Sequence, residues 1–264
     1  MASGLPPTVQ EIKPISKYWE HLNKASNELL DGYGYEHFKE SVARIYNDDM
    51  GHDALMESIK DLWDILYQIM PDDVLCRYSE PMLGTPIYLE CDGRPVTVDL
   101  GLSMYDVWSI TRHINLKDIE SIIEIGGGYG RIPYIIKQDN KYVKYTMCDV
   151  EPALSVAKWY LRQVLDNCDI QFVHPEELSG KADLIIACNC LHEMTPEQVH
   201  YYFNYFNDNA KYVYYTCWKD TTMPIDGHTW MQGDYPVRDT WTKIFELDYI
   251  KQDYFQALYK IGDN

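Results

Sequence analysis

Residues 121–131 read SIIEIGGGYGR, an apolar run followed at once by four glycines in five positions. An apolar run of this length predicts a buried strand, and the glycines predict a sharp turn at its end. Glycine suits such a turn because it adopts positive φ and lets a ligand approach the backbone without meeting a Cβ atom. The segment therefore predicts a strand, a ligand-binding turn and the beginning of a helix.

The rest of the chain after residue 118 alternates between short apolar runs and helical patterns. The further apolar runs lie at 142–148, 170–173, 183–188 and 211–217, and the helical patterns lie at 151–165 and 195–206. Thr195, Pro196 and Gln198 form a capping box with proline at the first helical position. This alternation predicts an α/β fold with a mostly parallel sheet, whose ligands bind beyond the carboxyl ends of the strands.

The chain before residue 118 is mostly helical in pattern. Apolar residues recur at helical spacing from Leu55 to Met70, and Pro71 ends the predicted helix. Residues 15–47 and 103–114 are also helical in pattern, and Asp-Gly-Arg at 92–94 predicts a hairpin turn. We therefore divide the chain into a helical cap over residues 1–117 and an α/β domain over residues 118–264.

The charge and hydropathy of the chain disfavour several classes of binding partner. The chain has 41 acidic and 23 basic side chains, a net charge of −18, which disfavours nucleic acid and anionic membranes. No apolar run is long enough for a membrane helix, and residues 1–14 lack the pattern of a leader peptide. We expect a cytoplasmic protein that acts on a small molecule, and a homo-oligomer stays open. The lone Cys188-x-Cys190 pair is a weak zinc signal.

The spacing of the glycines separates two cofactors. A dinucleotide fingerprint would place its third glycine at position 131, which is arginine. The pattern present, ExGxGxG from Glu124 to Gly130, resembles the first motif of class I S-adenosylmethionine-dependent methyltransferases. The resemblance implies a Rossmann-like, seven-stranded and mostly parallel sheet with helices on both faces and a helical N-terminal cap, and S-adenosylmethionine as cofactor. An acid before the glycines also suits a cofactor that carries positive charge.

The same resemblance implies a set of cofactor contacts. Asp149, at the end of the second strand, would accept hydrogen bonds from the ribose hydroxyls, although it could equally cap the following helix. Because nicotinamide enzymes also place an acid there, Asp149 alone does not decide between the cofactors. The implied cofactor-binding residues are Glu124, Gly126, Gly127, Gly128, Gly130, Asp149, Val150, His174 and Asn189.

Further segments narrow the resemblance. Together with the glycine turn and DVEP at 149–152, the stretches SEPMLGTP at 79–86, DGRPVTVDL at 92–100 and DLIIACNCLHEMTPEQVHYYF at 183–203 look like the bacterial sugar O-methyltransferase family. The resemblance covers about residues 60–260 and implies methylation of a hydroxyl on a sugar or glycosylated metabolite. Nitrogen, carboxylate and carbon acceptors stay open, as does a non-catalytic module that only binds the cofactor.

Methylation of a hydroxyl is helped by a base that removes its proton. His192, just after the fourth strand, is the first candidate, and Glu193 could orient it or act as the base itself. We expect the pKa of His192 to stay near neutral, so that the rate rises with pH through one ionisation. His113, His174 and His228 are the alternatives.

Acceptor contacts are predicted at two places. Tyr129 and Arg131 follow the glycine turn, and His228 and Trp230 lie in a turn-rich loop that could equally be a surface excursion. Carboxylates and amides near the strand ends could also hold Mg²⁺, but they do not differ in type from ribose and substrate contacts. We expect no metal.

Overall fold

The computed structural model describes residues 16–41, 51–166 and 169–262. The predictions made for residues 1–14 and for the end of the 15–47 helical pattern lie outside these ranges. Within the same ranges, no helix combines the length and apolar character that crossing a membrane requires.

The N-terminal part is helical, with one short hairpin. Its helices are α1 (Lys17–Tyr33), α2 (Phe38–Ser41), α3 (His52–Ile69), α4 (Asp72–Leu75) and α5 (Val98–Thr111), and the hairpin pairs β1 (Leu89–Cys91) with β2 (Arg94–Val96). The predicted amphipathic helix is α3, which ends just before Pro71. Helix α5 begins earlier than the predicted residue 103 because the Thr97 hydroxyl accepts a hydrogen bond from the Leu100 amide at 3.0 Å.

The second part is a seven-stranded sheet. Its strands are β3 (Ser121–Ile125), β4 (Lys144–Cys148), β5 (Ile170–Val173), β6 (Ala182–Cys188), β7 (Ala210–Trp218), β10 (Thr242–Asp248) and β11 (Tyr254–Lys260), in the order β10-β11-β7-β6-β3-β4-β5. Strands β3 to β7 are parallel, and β11 is antiparallel to both of its neighbours. The predicted mostly parallel sheet is confirmed, with the order reversing between β3 and β6, where α/β sheets bind ligands.

Helices connect the parallel strands. These are α6 (Arg131–Asp139), α7 (Ala153–Val164) and α8 (Pro196–Asn209), and α8 begins with the predicted capping box. No α-helix is described between β7 and β10, where a second hairpin of β8 (Asp220–Thr222) and β9 (Thr229–Met231) precedes a short 3-10 turn and a loop.

Each face of the sheet has its own apolar core. On one face, the N-terminal helices α3 and α5 and the crossover helices α6 and α7 pack on side chains such as Ile122 and Leu184. On the other face, α8 and the aromatic side chains of the 219–241 segment pack on Ile185 and Val213. The N-terminal helices and the sheet therefore share one core, which fixes α5 next to the glycine turn.

Candidate active site

A cavity of about 430 Å³ lies at the carboxyl ends of β3, β4, β6 and β7, within the usual size of small-molecule sites. One half of its wall, the near half, comes from the glycine turn and the adjacent strand ends: Glu124, Gly126, Gly127, Gly128, Asp149, Cys188, Asn189 and Cys190. The other half, the far half, comes from the rest of the chain: Tyr18, Trp19, Asp99, Leu102, Tyr129, Arg131, His192, Glu193, Trp218, Thr221, Met223, Pro224, Lys251 and Tyr254.

The glycines of the turn serve two different purposes. A Cβ atom added at Gly126 would lie 2.4 Å from the Cβ of Cys190, and one added at Gly130 would lie 2.6 Å from Cδ1 of Leu161. These two glycines allow close packing of the protein on itself. At Gly128, with φ of 58°, an added Cβ would meet no atom within 4 Å. Gly128 therefore leaves space that the protein itself does not use.

Glu124 is a buried acid at the floor of the near half, with 2% of its surface exposed. The hydroxyl of Tyr145 donates a hydrogen bond to its Oε2 at 2.9 Å. Burial raises the pKa of Glu124 to about 8, although the hydrogen bond from Tyr145 and the charge of Arg131 oppose the shift. A positive ligand group beside Glu124 would restore its negative charge, because an opposite charge favours the ionised form.

Asp149 holds the glycine turn in place. Its Oδ2 accepts a hydrogen bond from the Gly128 amide at 2.7 Å, and its Oδ1 accepts one from the Val150 amide at 2.7 Å. Each carboxylate oxygen can accept a second hydrogen bond, so these contacts leave acceptor capacity for a ligand hydroxyl. Asp149 thus links the backbone of the turn to the cavity.

Asn189 follows β6 in the left-handed region, with φ of 56°, which asparagine tolerates better than most residues. Its backbone amide donates a hydrogen bond to the Thr216 hydroxyl at 3.1 Å, and its side-chain oxygen accepts one from the same hydroxyl at 3.0 Å. These bonds fix Asn189 at the cavity wall between β6 and β7. Among the described residues, no group of three or more His, Cys, Asp or Glu side chains is placed to hold a metal ion.

His192 lies in the turn after β6, on the far half of the wall, with 3% of its surface exposed. The rings of Trp218 and Tyr254 stand edge-on to it, with centroids 6.2 and 6.3 Å away. Its Nδ1 is buried and has no hydrogen-bond partner among the described residues. Burial, with a smaller contribution from Lys251, lowers the pKa of His192 to about 3.

This pKa corrects the expectation of an ionisation near neutral pH. The sequence shows a neighbouring acid, Glu193, which would favour the charged imidazolium. In the folded chain, removal of the ring from water outweighs that effect because burial disfavours the charged form. His192 is therefore neutral throughout the physiological pH range.

Tyr129 connects the glycine turn to the N-terminal helices. Its hydroxyl donates to Asp99 Oδ2 at 2.7 Å, and the Lys39 ammonium lies 3.9 Å from the same oxygen. Lys39 also pairs with Glu80, which accepts a hydrogen bond from the Thr97 hydroxyl at 2.6 Å. All five side chains are buried. Because removing one partner would leave an uncompensated buried charge, this network fixes the helices beside the turn.

The first turn of α1 is fastened over the far half of the cavity. The Ser16 hydroxyl donates to the Glu193 carbonyl at 2.9 Å, and the amides of Lys17 and Tyr18 donate to the Asp226 carboxylate at 3.1 and 2.9 Å. An acid at the beginning of a helix is favourable because it meets free amides and the positive end of the helix dipole. These bonds bring Tyr18 and Trp19 to the wall.

Most predicted site residues meet at the cavity. The described wall includes Glu124, Gly126, Gly127, Gly128, Asp149 and Asn189 of the predicted cofactor contacts, His192 and Glu193 of the predicted bases, and Tyr129 and Arg131 of the predicted acceptor contacts. Gly130 and Val150 lie behind it, because Gly130 packs on Leu161 and Val150 contributes its amide to Asp149.

Four further predicted residues are not brought to the wall. Trp230 is buried in the second core, stacked on Tyr235 with a centroid distance of 5.2 Å. His228 lies beside Trp230, with rings 6.0 Å apart, and its Nε2 is buried. His174 stands at the surface with its Nε2 3.9 Å from the Glu151 carboxylate. His113 packs against Phe245, with rings 4.9 Å apart.

Several wall residues had no signal in the sequence. Lys251 precedes the last strand and Tyr254 begins it, Tyr18 and Trp19 come from α1, and Trp218 ends β7. Only Trp218 could have been found, because it directly follows a predicted strand whose carboxyl end should face the ligand. The others reach the cavity through tertiary packing.

No protein-family model matches this sequence, and no curated protein matches it. The structure is similar to solved methyltransferases at low sequence identity. The mitomycin 7-O-methyltransferase MmcR is 11% identical, with 93% of this chain and 68% of that chain covered and a TM-score of 0.51. The O-methyltransferase of a trans-AT polyketide synthase from Brevibacillus brevis, solved with S-adenosyl-L-homocysteine, is 8% identical, with 61% and 72% covered and a TM-score of 0.49.

A third solved structure, an S-adenosylmethionine-dependent methyltransferase from Clostridium acetobutylicum, is 11% identical, with 61% of this chain and 91% of that chain covered and a TM-score of 0.47. At these identities the likeness concerns the fold. The similarity to MmcR extends over nearly the whole chain, N-terminal helices included. Together with the strand order, it shows that this chain has the class I methyltransferase fold.

Proposed function

We propose that the protein is an S-adenosylmethionine-dependent methyltransferase that acts on a hydroxyl of a small molecule, a sugar or glycosylated metabolite. One observation carries the proposal. In the turn after β3, Gly128 has positive φ and an added Cβ would meet nothing within 4 Å, although Gly128 lies at the cavity wall with the carboxylates of Glu124 and Asp149. The turn leaves space for a ligand next to two acids.

The residues present suit this cofactor better than a dinucleotide. Glu124 would hold the ammonium group of the methionine part, and Asp149 would accept hydrogen bonds from the ribose hydroxyls. The backbone of Gly126 to Gly128 would pass beneath the ligand. A pyrophosphate would instead bring negative charge next to Asp149 and would further disfavour the ionised form of the buried Glu124. The buried Glu124 therefore favours the cationic cofactor.

His192 is proposed to remove the proton of the acceptor hydroxyl. When bound, S-adenosylmethionine supplies an electrophilic methyl group on a sulfonium. His192 is neutral because burial lowers its pKa to about 3, so Nε2 has a lone pair for the proton as the new C–O bond forms. Glu193, on the same wall, is the second candidate base.

The aromatic far half supports a ring-shaped acceptor. Tyr18, Trp19, Trp218 and Tyr254 line it. Tyrosine and tryptophan combine flat apolar faces with a polar edge, which suits a polyhydroxylated ring. Their burial of the acceptor would also exclude water and hold its hydroxyl in line with the methyl group, and such positioning can contribute several kcal/mol to catalysis.

The direct test is methyl transfer to a library of acceptors. The protein is incubated with S-adenosylmethionine and with sugars, glycosides, phenols, amines and carboxylic acids, and mass spectrometry follows the methylated products and S-adenosylhomocysteine. The proposal predicts a methyl ether on one hydroxyl class. Methylated amines or methyl esters would show that the acceptor atom is a nitrogen or a carboxylate oxygen and not a hydroxyl. Tight binding of the cofactor without turnover of any acceptor would favour a non-catalytic module.

A further inference from the structure

The far half of the cavity carries two positive side chains, Arg131 and Lys251, in a chain whose net charge is −18. Arg131 opens α6, and its guanidinium makes one hydrogen bond among the described residues, at 3.4 Å to the Ser103 hydroxyl. A guanidinium has five N–H donors, and the described residues accept a hydrogen bond from one of them. Arg131 therefore lies at the cavity wall with donors that no described carboxylate binds within 4 Å.

Two acids lie close enough to Arg131 to act on its charge. Asp106 is fully buried; its Oδ1 accepts hydrogen bonds from the hydroxyls of Tyr214 and Tyr249, both at 2.9 Å, and its Oδ2 has no hydrogen-bond partner among the described residues. Asp99 accepts its bond from Tyr129. Although burial disfavours the charged guanidinium, these carboxylates hold the pKa of Arg131 above its usual value. They keep the guanidinium charged without occupying it.

Lys251 is the second cation of this wall. Its Nζ lies 4.7 Å from the ring centroid of Tyr254 and 3.5 Å from that hydroxyl. Partial burial and the nearby charge of Arg131 lower the pKa of Lys251. Two like charges that face one cavity repel each other, and an anion between them would relieve the repulsion.

We propose that the acceptor carries a carboxylate, which binds to Arg131 and Lys251 while its hydroxyl meets His192. The proposal rests on the proposed function and names its substrate class as small hydroxy acids. The fork of a guanidinium matches a carboxylate through two parallel hydrogen bonds. A single negative charge is favoured over the double charge of a phosphate, because Glu193 lies on the same wall.

The test measures, by calorimetry, how tightly matched probes bind to the protein loaded with S-adenosylhomocysteine. One pair is glucuronate against glucose, and the second pair is 4-hydroxybenzoate against 4-hydroxybenzyl alcohol, which separates a sugar acid from an aromatic acid. Glucose 6-phosphate tests the alternative anion. We expect the carboxylate of at least one pair to bind about tenfold or more tightly than its neutral partner, the size of one charge-assisted contact.

Two variants and one control locate the effect. Arg131→Gln should lower the affinity for the carboxylate probe by about tenfold, and Lys251→Gln should lower it several-fold. Neither variant should change the affinity for the neutral probe. Lys251→Gln keeps the test valid if Arg131→Gln unfolds, because Lys251 does not share the buried acids. Lys211→Gln removes an exposed lysine outside the cavity and should change nothing.

Three results would overturn the proposal: no preference for the carboxylate in either pair, tighter binding of glucose 6-phosphate, or unchanged carboxylate binding in both variants. These failures are separate from failure of the proposed function. If S-adenosylhomocysteine does not bind the wild-type protein, the proposed function itself is wrong. If S-adenosylhomocysteine binds and neither carboxylate probe binds more tightly than its neutral partner, only the assignment of a carboxylate to the acceptor is wrong.

Discussion

The two halves of the cavity differ in how they are built and in the charge they carry. The near half comes from the glycine turn and the ends of β4 and β6, and its two carboxyl side chains are Glu124 and Asp149. The far half is made of side chains from α1, α5, the beginning of α6, the turn after β6, the 218–224 segment and the beginning of β11. It includes the cations Arg131 and Lys251 together with the acids Asp99 and Glu193. The difference suits a cationic cofactor at one end and a separate acceptor at the other.

The halves also differ in what holds them. The near half follows β3 in a turn that Asp149 fixes through the Gly128 amide. The far half is complete only when α1 is fastened through Ser16 and Asp226. Changes in the near half should therefore act on cofactor binding, and changes in the far half should act on the acceptor and on turnover.

The largest expected effect belongs to the far half. His192→Ala should cut turnover by about 10²–10⁴, the usual size for a lost general base, with cofactor affinity nearly unchanged. His200→Ala, at an exposed histidine outside the cavity, is the control. Single-turnover rates at saturating cofactor measure the effect, and a variant that retains more than about a tenth of the wild-type rate would remove His192 as the base.

The same base predicts a pH profile. Because the pKa of His192 is about 3, the saturated rate should show no ionisation of this histidine between about pH 5 and 8. A single ionisation near pH 6.5 that disappears in His192→Ala would show that the ring is hydrated in the working enzyme.

In the near half, Gly128→Asp should weaken S-adenosylhomocysteine binding by more than about a hundredfold, because a third carboxylate would fill the ligand space. The backbone cost should be about 1 kcal/mol, since aspartate tolerates positive φ. Gly93→Asp, also at a positive-φ glycine with no atom within 4 Å, controls for that cost. Calorimetry and thermal unfolding separate binding from stability.

Gly126→Ala gives the opposite pattern within the same turn. Its Cβ would press on Cys190, so the free energy of unfolding should fall by about 1–3 kcal/mol, as in overpacked cores. If Gly126→Ala and Gly128→Ala lower Tm equally, the two purposes assigned to these glycines are not distinct.

A smaller effect is expected from the proton on Glu124. Burial raises its pKa to about 8, so the group is mostly protonated at pH 7 in the free protein, and a cationic ligand should release the proton. S-adenosylmethionine affinity should therefore rise with pH, by up to about tenfold per unit, and level off above about pH 8. Calorimetry in two buffers of different ionisation enthalpy measures the released proton.

Glu124→Gln is the matched variant for this prediction. It should bind S-adenosylmethionine more weakly and without the pH dependence. The free wild-type protein should also lose stability as pH rises through about 8, because a group whose pKa is raised on folding favours the folded state only while protonated. Affinity that falls with rising pH would contradict the role of Glu124.

The smallest effect concerns the fastening of α1. Asp226→Ala removes the carboxylate that accepts hydrogen bonds from the Lys17 and Tyr18 amides. The free energy of unfolding should fall by about 1 kcal/mol, the usual size for a lost capping contact. Hydrogen exchange of these amides should accelerate, and KM for the acceptor should rise a few-fold with cofactor affinity unchanged. Asp239→Ala, on an exposed residue outside the cavity, is the control. Faster exchange with an unchanged KM would mean that α1 does not shape the acceptor site.

The near half could be predicted from sequence because its signals are local. The run 121–125 coincides with β3, and Glu124, Gly128 and Asp149 lie at one strand edge as expected. Strand, turn and crossover helix follow one another in the chain, so their spacing already determines which residues meet. The capping box at Thr195 was readable for the same reason.

The far half could not be predicted in the same way. Lys251 and Tyr254 reach the cavity only because β11 inserts antiparallel between β7 and β10. Trp230 was predicted at the acceptor from its loop composition, but the aromatic core on the second face buries it. The pKa of His192 is lower than the sequence predicts, because burial of a single side chain has no signal in the sequence.

Titration of the wild-type protein by calorimetry, with S-adenosylhomocysteine and with NAD, tests the central claim most directly. We expect one molecule of S-adenosylhomocysteine bound per chain and no heat from NAD, because the turn after β3 presents Glu124 and an open Gly128 to a ligand without phosphates. Binding of NAD in place of S-adenosylhomocysteine, or binding of neither, would contradict the proposed cofactor.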